Sequence, residues 1–175
     1  MTSETYPGAL SLSRRVISIL IKLNILMGVL ILVLLIATLV AEGKTMEALG
    51  AHHPGDNSKF VLGVRTIMVL GICSIPVAHI VLTRLRAIVE TVSLGDPFVA
   101  ENAARLQTVG WAVLGLELLH LVVGAVAAGA SSDDHPLDID WNFSVTRWLA
   151  VLLCFVLARV FDSGARMRED LDGTV

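Results

Sequence analysis

The stretch Ser93-Leu94-Gly95-Asp96-Pro97-Phe98-Val99-Ala100-Glu101-Asn102-Ala103-Ala104-Arg105-Leu106 lies between two long apolar runs and decides how the chain folds. It holds the densest turn chemistry in the sequence. Gly95 can take a positive φ without a Cβ clash, so it ends a helix. Asp96 offers a side-chain oxygen to cap the next helix. Pro97 suits a first helical position, where its missing N–H costs nothing. The stretch therefore predicts a sharp corner between two helices, with the second starting at Pro97. Phe98 is expected to pack back on the apolar stripe of Leu85, Ile88 and Val92.

Outward from that corner the chain is apolar. Of its 175 residues, 55% are hydrophobic, and the mean hydropathy is +0.77. Those values belong to a membrane protein of one domain, residues 1–175. Four spans are expected, at about 16–41, 60–82, 108–130 and 143–162. Arg14 and Arg15 precede the first run in the manner of a signal peptide. That run is too long for a signal core and no small-x-small cleavage site follows, so it is read as a retained helix. Residues 1–13 read as a disordered tail. Pro76 falls inside the second run and should kink it by freeing a carbonyl near Ile72.

Charge fixes the expected orientation. Arg14, Arg15, Arg84, Arg86, Arg105, Arg166 and Arg168 fall on one side of the four spans. The loops of the other side, about 42–59 and 131–142, hold Lys44, Lys59 and an acidic run of Asp133, Asp134, Asp138 and Asp140. The positive-inside rule then gives an all-α integral membrane four-helix bundle of the cytoplasmic membrane, N-in and C-in. Helices two and three extend into the cytosol as a hairpin over about 84–106, with the Gly95–Pro97 corner at its tip. Trp111 suits the inner interface and Trp141 the outer one.

Several function classes find no support. The net charge is −3 and the basic residues form no nucleic-acid-binding face, so direct nucleic-acid binding is not expected. Cys73 and Cys154 lie in apolar runs without a disulfide or metal spacing. No CxxC, HExxH, P-loop or GxGxxG occurs, and no Ser–His–acid set can be assembled, so an enzyme is not expected.

The string Gly95-Asp96-Pro97-Phe98, followed by Asn102, Arg105, Leu106 and Gly110-Trp111, resembles the central signature of the bacterial "domain of unknown function 2975" membrane proteins. The close of the chain is similar to theirs as well: Leu157-Ala158-Arg159-Val160-Phe161, Gly164-Ala165, Arg168-Glu169-Asp170-Leu171 and Thr174-Val175. The resemblance is specific at the corner and the tail and weak in helix one and both outer loops. It implies the same four-helix fold and no assigned activity. Many such proteins are encoded beside a very small helix-turn-helix regulator, which implies a membrane component of a regulatory pair.

Ionisable groups inside a membrane are the first candidates for function, because burying charge there is costly. Glu117 lies about 13 Å inside the cytosolic boundary and His120 one turn further, on the same face. Ala103, Gly110, Glu117, Gly124 and Ala128 make a small-residue stripe that should point into the bundle. Asn24, Gly28, Ile31, Leu35, Thr38 and Glu42 make a matching face on helix one. Asn24, Ser74, Cys73 and Cys154 come out near the depth of Glu117. A polar cluster of Asn24, Ser74, Glu117 and His120 is therefore expected.

Two readings of that cluster stay open: a neutral Glu117 hydrogen-bonding Asn24 or Ser74 to lock packing, and an ion, proton or metal site serving a small permease. The packing reading takes precedence, since neutralisation is the ordinary response of an acid to hydrocarbon. A metal- or haem-binding bundle is the third alternative. Glu117-x-x-His120 occurs once where di-iron bundles need two copies, and His79 lies about 12 Å shallower than His120, so no cofactor and no metal are assigned.

At the outer rim, Arg65 and Arg147 are expected to pair with Glu42 and Asp140 or its neighbours. Arg159 can snorkel to the interface or pair with Asp162 on the next turn. The His52-His53…Asp56 turn and His135 carry too little spacing information to mark a metal site. The partners expected are the lipid bilayer and, at the hairpin formed by Gly95, Asp96, Pro97, Phe98, Asn102 and Arg105, a small helix-turn-helix regulator or another cytosolic protein.

Overall fold

Long apolar segments satisfy their backbone groups internally, so they fold as uninterrupted helices. The structure, a computed structural model, describes residues 7–41, 44, 58–131 and 144–172. Four long helices make up almost all of it: α1 (Pro7–Val40), α2 (Ser58–Ser93), α3 (Ala100–Ala130) and α4 (Val145–Asp172). All four are long and apolar enough to cross a membrane, and the described residues contain no strand. Expectations placed on Glu42, Asp140, Trp141, the His52–Asp56 turn and His135 lie outside the described residues.

One expectation is corrected here. The tail assigned to 1–13 is helical from Pro7, so α1 begins well before its arginines. α2 stays helical on both sides of Pro76. The Asn24 side chain of α1 donates to the carbonyl of Ile75, the residue before that proline, at 3.0 Å.

Packing follows chain order: α1 lies on α2, α2 on α3, and α3 on α4. The core runs along α3, which buries Ala103, Leu106, Val109, Gly110, Glu117, Gly124 and Ala127. The expected inward stripe is therefore present, with Ala127 in place of Ala128, which is exposed. Phe60, Val61 and Met68 of α2 and Val151 and Ala158 of α4 close on that core. Small residues set the crossings. A Cβ on Gly63 would overlap the Ala130 methyl, and one on Gly110 would press the Phe155 ring at 3.2 Å.

α1 differs from the other three. Thr38 is its one fully buried side chain among the described residues, and Leu23, Leu26, Leu30 and Val33 all face outward. The face of Asn24, Gly28, Ile31 and Thr38 meets α2 and not α3. Gly28 abuts Ile75, Ile31 abuts Gly71, and Arg65 of α2 donates to the Thr38 carbonyl. That last contact puts a cation on the carbonyls of α1's final turns, where the helix dipole favours it.

These contacts fix the antiparallel register. Arg14 pairs with Glu90, one turn beyond Arg86. Asn102 meets Thr91, which sets Arg105 at the level of Arg86. Gly110 faces Cys154 and Phe155, which sets Arg159 at the level of Arg105. Arg14, Arg15, Arg84, Arg86, Arg105 and Arg159 thus form a belt at one height. Beyond it α2 projects about 10 Å more. The same register sets α4 back, so that its first turn lies about 15 Å short of the outer end of α3.

Candidate functional site

Two constellations combine polar chemistry with burial, one at mid-depth and one at the corner. At mid-depth α3 carries Glu117 and His120 on successive turns of its inward face. Opposite them, in the first turn of α4, stands Arg147. Its Nε lies 3.1 Å from Glu117 Oε1, and the carboxylate is nearly fully buried while the arginine is partly exposed. Arg147 Nη1 lies 3.1 Å from His120 Nε2. The guanidinium bridges both α3 side chains, an ion pair whose strength grows as water is excluded.

One sequence reading is corrected here. The setback of α4 lowers its first turn to the level of Glu117 and His120, so Arg147 reaches both, while its expected pairing with Asp140 or its neighbours lies outside the described residues. Asn24 and Ser74 do not join the cluster. Asn24 is bonded to Ile75, and the Ser74 hydroxyl turns back to the Gly71 carbonyl of its own helix at 2.6 Å. Cys154 sits beside Gly110, about 10 Å along α3 from Glu117 and so not at its depth. Among the described residues no three His, Cys, Asp or Glu side chains converge, and both cysteines are free thiols.

The corner is more elaborate. Gly95 has φ +85°. The Gly95 N–H donates to Val92 O and the Asp96 N–H to Thr91 O, each at 3.1 Å. That pair of bonds is a Schellman motif, which satisfies the last carbonyls of α2. The roles assigned to the next residues change. α3 starts at Ala100 with Val99 at its N-cap and no side-chain cap. Asp96 instead receives Arg168 of α4. Pro97 lies in the extended link before the helix. Its carbonyl accepts a hydrogen bond from Asn102 Nδ2 at 2.9 Å. Phe98 meets Phe161 of α4, ring centroids 5.4 Å apart. A Cβ on Gly164 would approach Phe98 to 2.7 Å, so a larger residue there would have to displace the ring.

Asn102 ties the corner together. It is fully buried. Its Nδ2 also donates to Thr91 Oγ1 at 2.7 Å, and its Oδ1 accepts from Arg105 at 2.8 Å. One amide thus holds the end of α2, the link and the first turns of α3, as a buried polar group should when its partners are all supplied. Next to it, between α3 and α4, lies a cleft of about 380 Å³ lined by Ala100, Ala104, Gln107, Arg159 and Asp162. Asp162 pairs with Arg166 at 3.0 Å rather than with Arg159.

Sequence reasoning missed Thr91, Phe161, Gly164 and Arg168 as corner residues. For Phe161, Gly164 and Arg168 the signal lay in the two strings that carry the family resemblance; Thr91 lies in neither. These strings are far apart in the chain and touch in space, through Asp96–Arg168, Phe98–Phe161 and Phe98–Gly164.

Four apolar spans packed about a small-residue helix define a multi-pass helical membrane protein. The profile of the family described as "Protein of unknown function (DUF2975)" matches residues 44–175, and the chain belongs to that family. The match takes in α2 to α4 and leaves α1 outside. No curated protein and no solved structure matches the chain.

Proposed function

We propose that the protein is a regulatory or interaction component of the cytoplasmic membrane, with both termini and the Gly95 corner in the cytosol, where the corner docks a soluble protein. The observation that carries this reading is the meeting of the two family-specific strings in one rigid, membrane-distal knot. Its interior is occupied by Asn102 and by the Phe98–Phe161 contact. Its tip presents Leu94, 80% exposed, beyond the arginine belt. The belt supports the orientation, since arginines gathered at one height are retained on the cytosolic side. A small helix-turn-helix regulator is the partner that the family resemblance suggests.

The reading assigns the chain no reaction. Glu117 is buried against Arg147, and that favours a lock over the water-reachable carboxylate an ion-coupled permease needs. The test is recovery of partners by crosslinking from native membranes with wild type, Asp96→Ala and Phe98→Ala, alongside a fractionation assay for insertion. The variants should insert normally and lose the partner that wild type recovers. Equal recovery by all three refutes docking at the corner.

A further inference from the structure

The seam between α1 and α2 opens outward as one furrow whose chemistry changes along its length. Its belt end is a hollow of about 360 Å³ lined by Arg14, Arg15, Ser18, Ile19, Lys22 and Arg86. Its deeper end is an apolar slot of about 310 Å³ with Ile25, Val29 and Leu32 on one wall and Ile72 and Pro76 on the other. The two follow one another along the seam, Lys22 lining the first and Ile25, one turn on, the second. On α1, residues 14, 18, 22, 25, 29 and 32 recur every three or four positions and share one stripe. On α2, Ile75 and Arg86 lie about three turns apart on one side, with Ile72 and Pro76 flanking Ile75. The floor is fixed by the approach of Gly28 to Ile75 and by the Asn24 bond to the Ile75 carbonyl.

We infer that this furrow holds one anionic phospholipid, its phosphate in the basic hollow and an acyl chain in the apolar slot. Charge complementarity selects the occupant. Four cations line the hollow, and the carboxylate paired there is Glu90, 3.8 Å from Arg14 with both side chains half exposed. Such pairing is weak and leaves a surplus of positive charge for a phosphate. Dimensions agree as well. From Lys22 to Leu32 the furrow runs about 15 Å, the depth of one leaflet's hydrocarbon. Serine and lysine at the rim can donate to phosphate oxygens, while the slot offers no polar group that would reject a methylene chain. The proposal explains why α1, which buries so little against protein, keeps arginine and lysine on its otherwise lipid-facing surface.

The experiment is native mass spectrometry of the full chain released from nanodiscs holding equal phosphatidylglycerol and phosphatidylcholine. The wild type should retain phosphatidylglycerol over phosphatidylcholine. Lys22→Gln with Arg86→Gln should lower that retention on the order of tenfold, and Lys22→Arg with Arg86→Lys should restore it. Val29→Trp, at an exposed position on the slot wall, should reduce retention with every cation in place, which keeps the proposal testable should the double variant misfold. Equal retention of the two lipids, or retention unchanged in Val29→Trp, overturns the proposal. Displacement of the lipid by millimolar inorganic phosphate also overturns it, since that identifies a free-phosphate site.

Discussion

The α3–α4 seam and the α1–α2 seam are built on opposite principles. α3 and α4 are held at mid-depth by Arg147 across Glu117 and His120, near the belt by Trp111 edge-on to Phe155 at 5.2 Å, and at the corner by Phe98 and Asp96. Among the described residues, the polar contacts between α1 and α2 include the Asn24 bond to Ile75, Arg65 on the Thr38 carbonyl and the loose surface pair of Arg14 with Glu90. In hydrocarbon no hydrophobic force drives helices together, so close packing and polar contacts must do so. The closed seam has both at every level. The open seam packs closely as well, Gly28 on Ile75 and Gly71 on Ile31, but hollows open along it, and we assign their space to lipid. The family match follows the same division, covering the closed part and leaving α1 out.

The comparison can be broken at several points. The largest effect is expected from Glu117→Gln, which strands a partly buried guanidinium; it should destabilise the protein by about 3 kcal/mol in denaturant unfolding in detergent. The double variant Glu117→Leu, Arg147→Leu should recover most of that loss, because a well-packed apolar pair replaces a costly ionic one. If the double variant is as unstable as the single one, the pair is not the source of the effect.

Asn102→Ala comes next, at about 2 kcal/mol, since it leaves Pro97 O and Arg105 without their buried partner. Limited proteolysis at the corner should accelerate with it. Gly164→Ala should cost only about 1 kcal/mol, because the half-exposed Phe98 ring can swing aside. Its expected signature is a shift in Phe98 ring resonances rather than a large change in melting. The smallest effect belongs to the open seam: Arg14→Gln, which breaks an exposed pair with Glu90, should change stability by less than about 0.5 kcal/mol.

The helices were legible because apolar runs and a period of 3.6 are local properties. So were the inward stripe of Ala103, Gly110, Glu117 and Gly124 and the helix stop at Gly95. What local pattern does not encode is register between helices. Arg147 follows the acidic loop in sequence, and its contact with Glu117 is not legible there. Only the setback of α4, fixed by Gly110 against Phe155 and Asp96 against Arg168, carries it down to Glu117. Asp96 shows the same limit. Its spacing before an apolar run is that of a helix cap, yet an arginine from the far end of the chain claims it, and α3 starts later without a side-chain cap. Asn24 was placed at the right depth on the right face of α1. It meets α2 because α1 is packed there, and depth alone does not choose between neighbours.

Docking at the corner is tested most directly by a photocrosslinking amino acid placed at Leu94, at the exposed tip, in intact cells, with the same group at Leu62, 67% exposed at the opposite end of α2, as control. The account predicts a single soluble-protein adduct at Leu94, absent from Leu62 and lost when Phe98→Ala is added. No adduct at Leu94, or the same adducts at both positions, contradicts it.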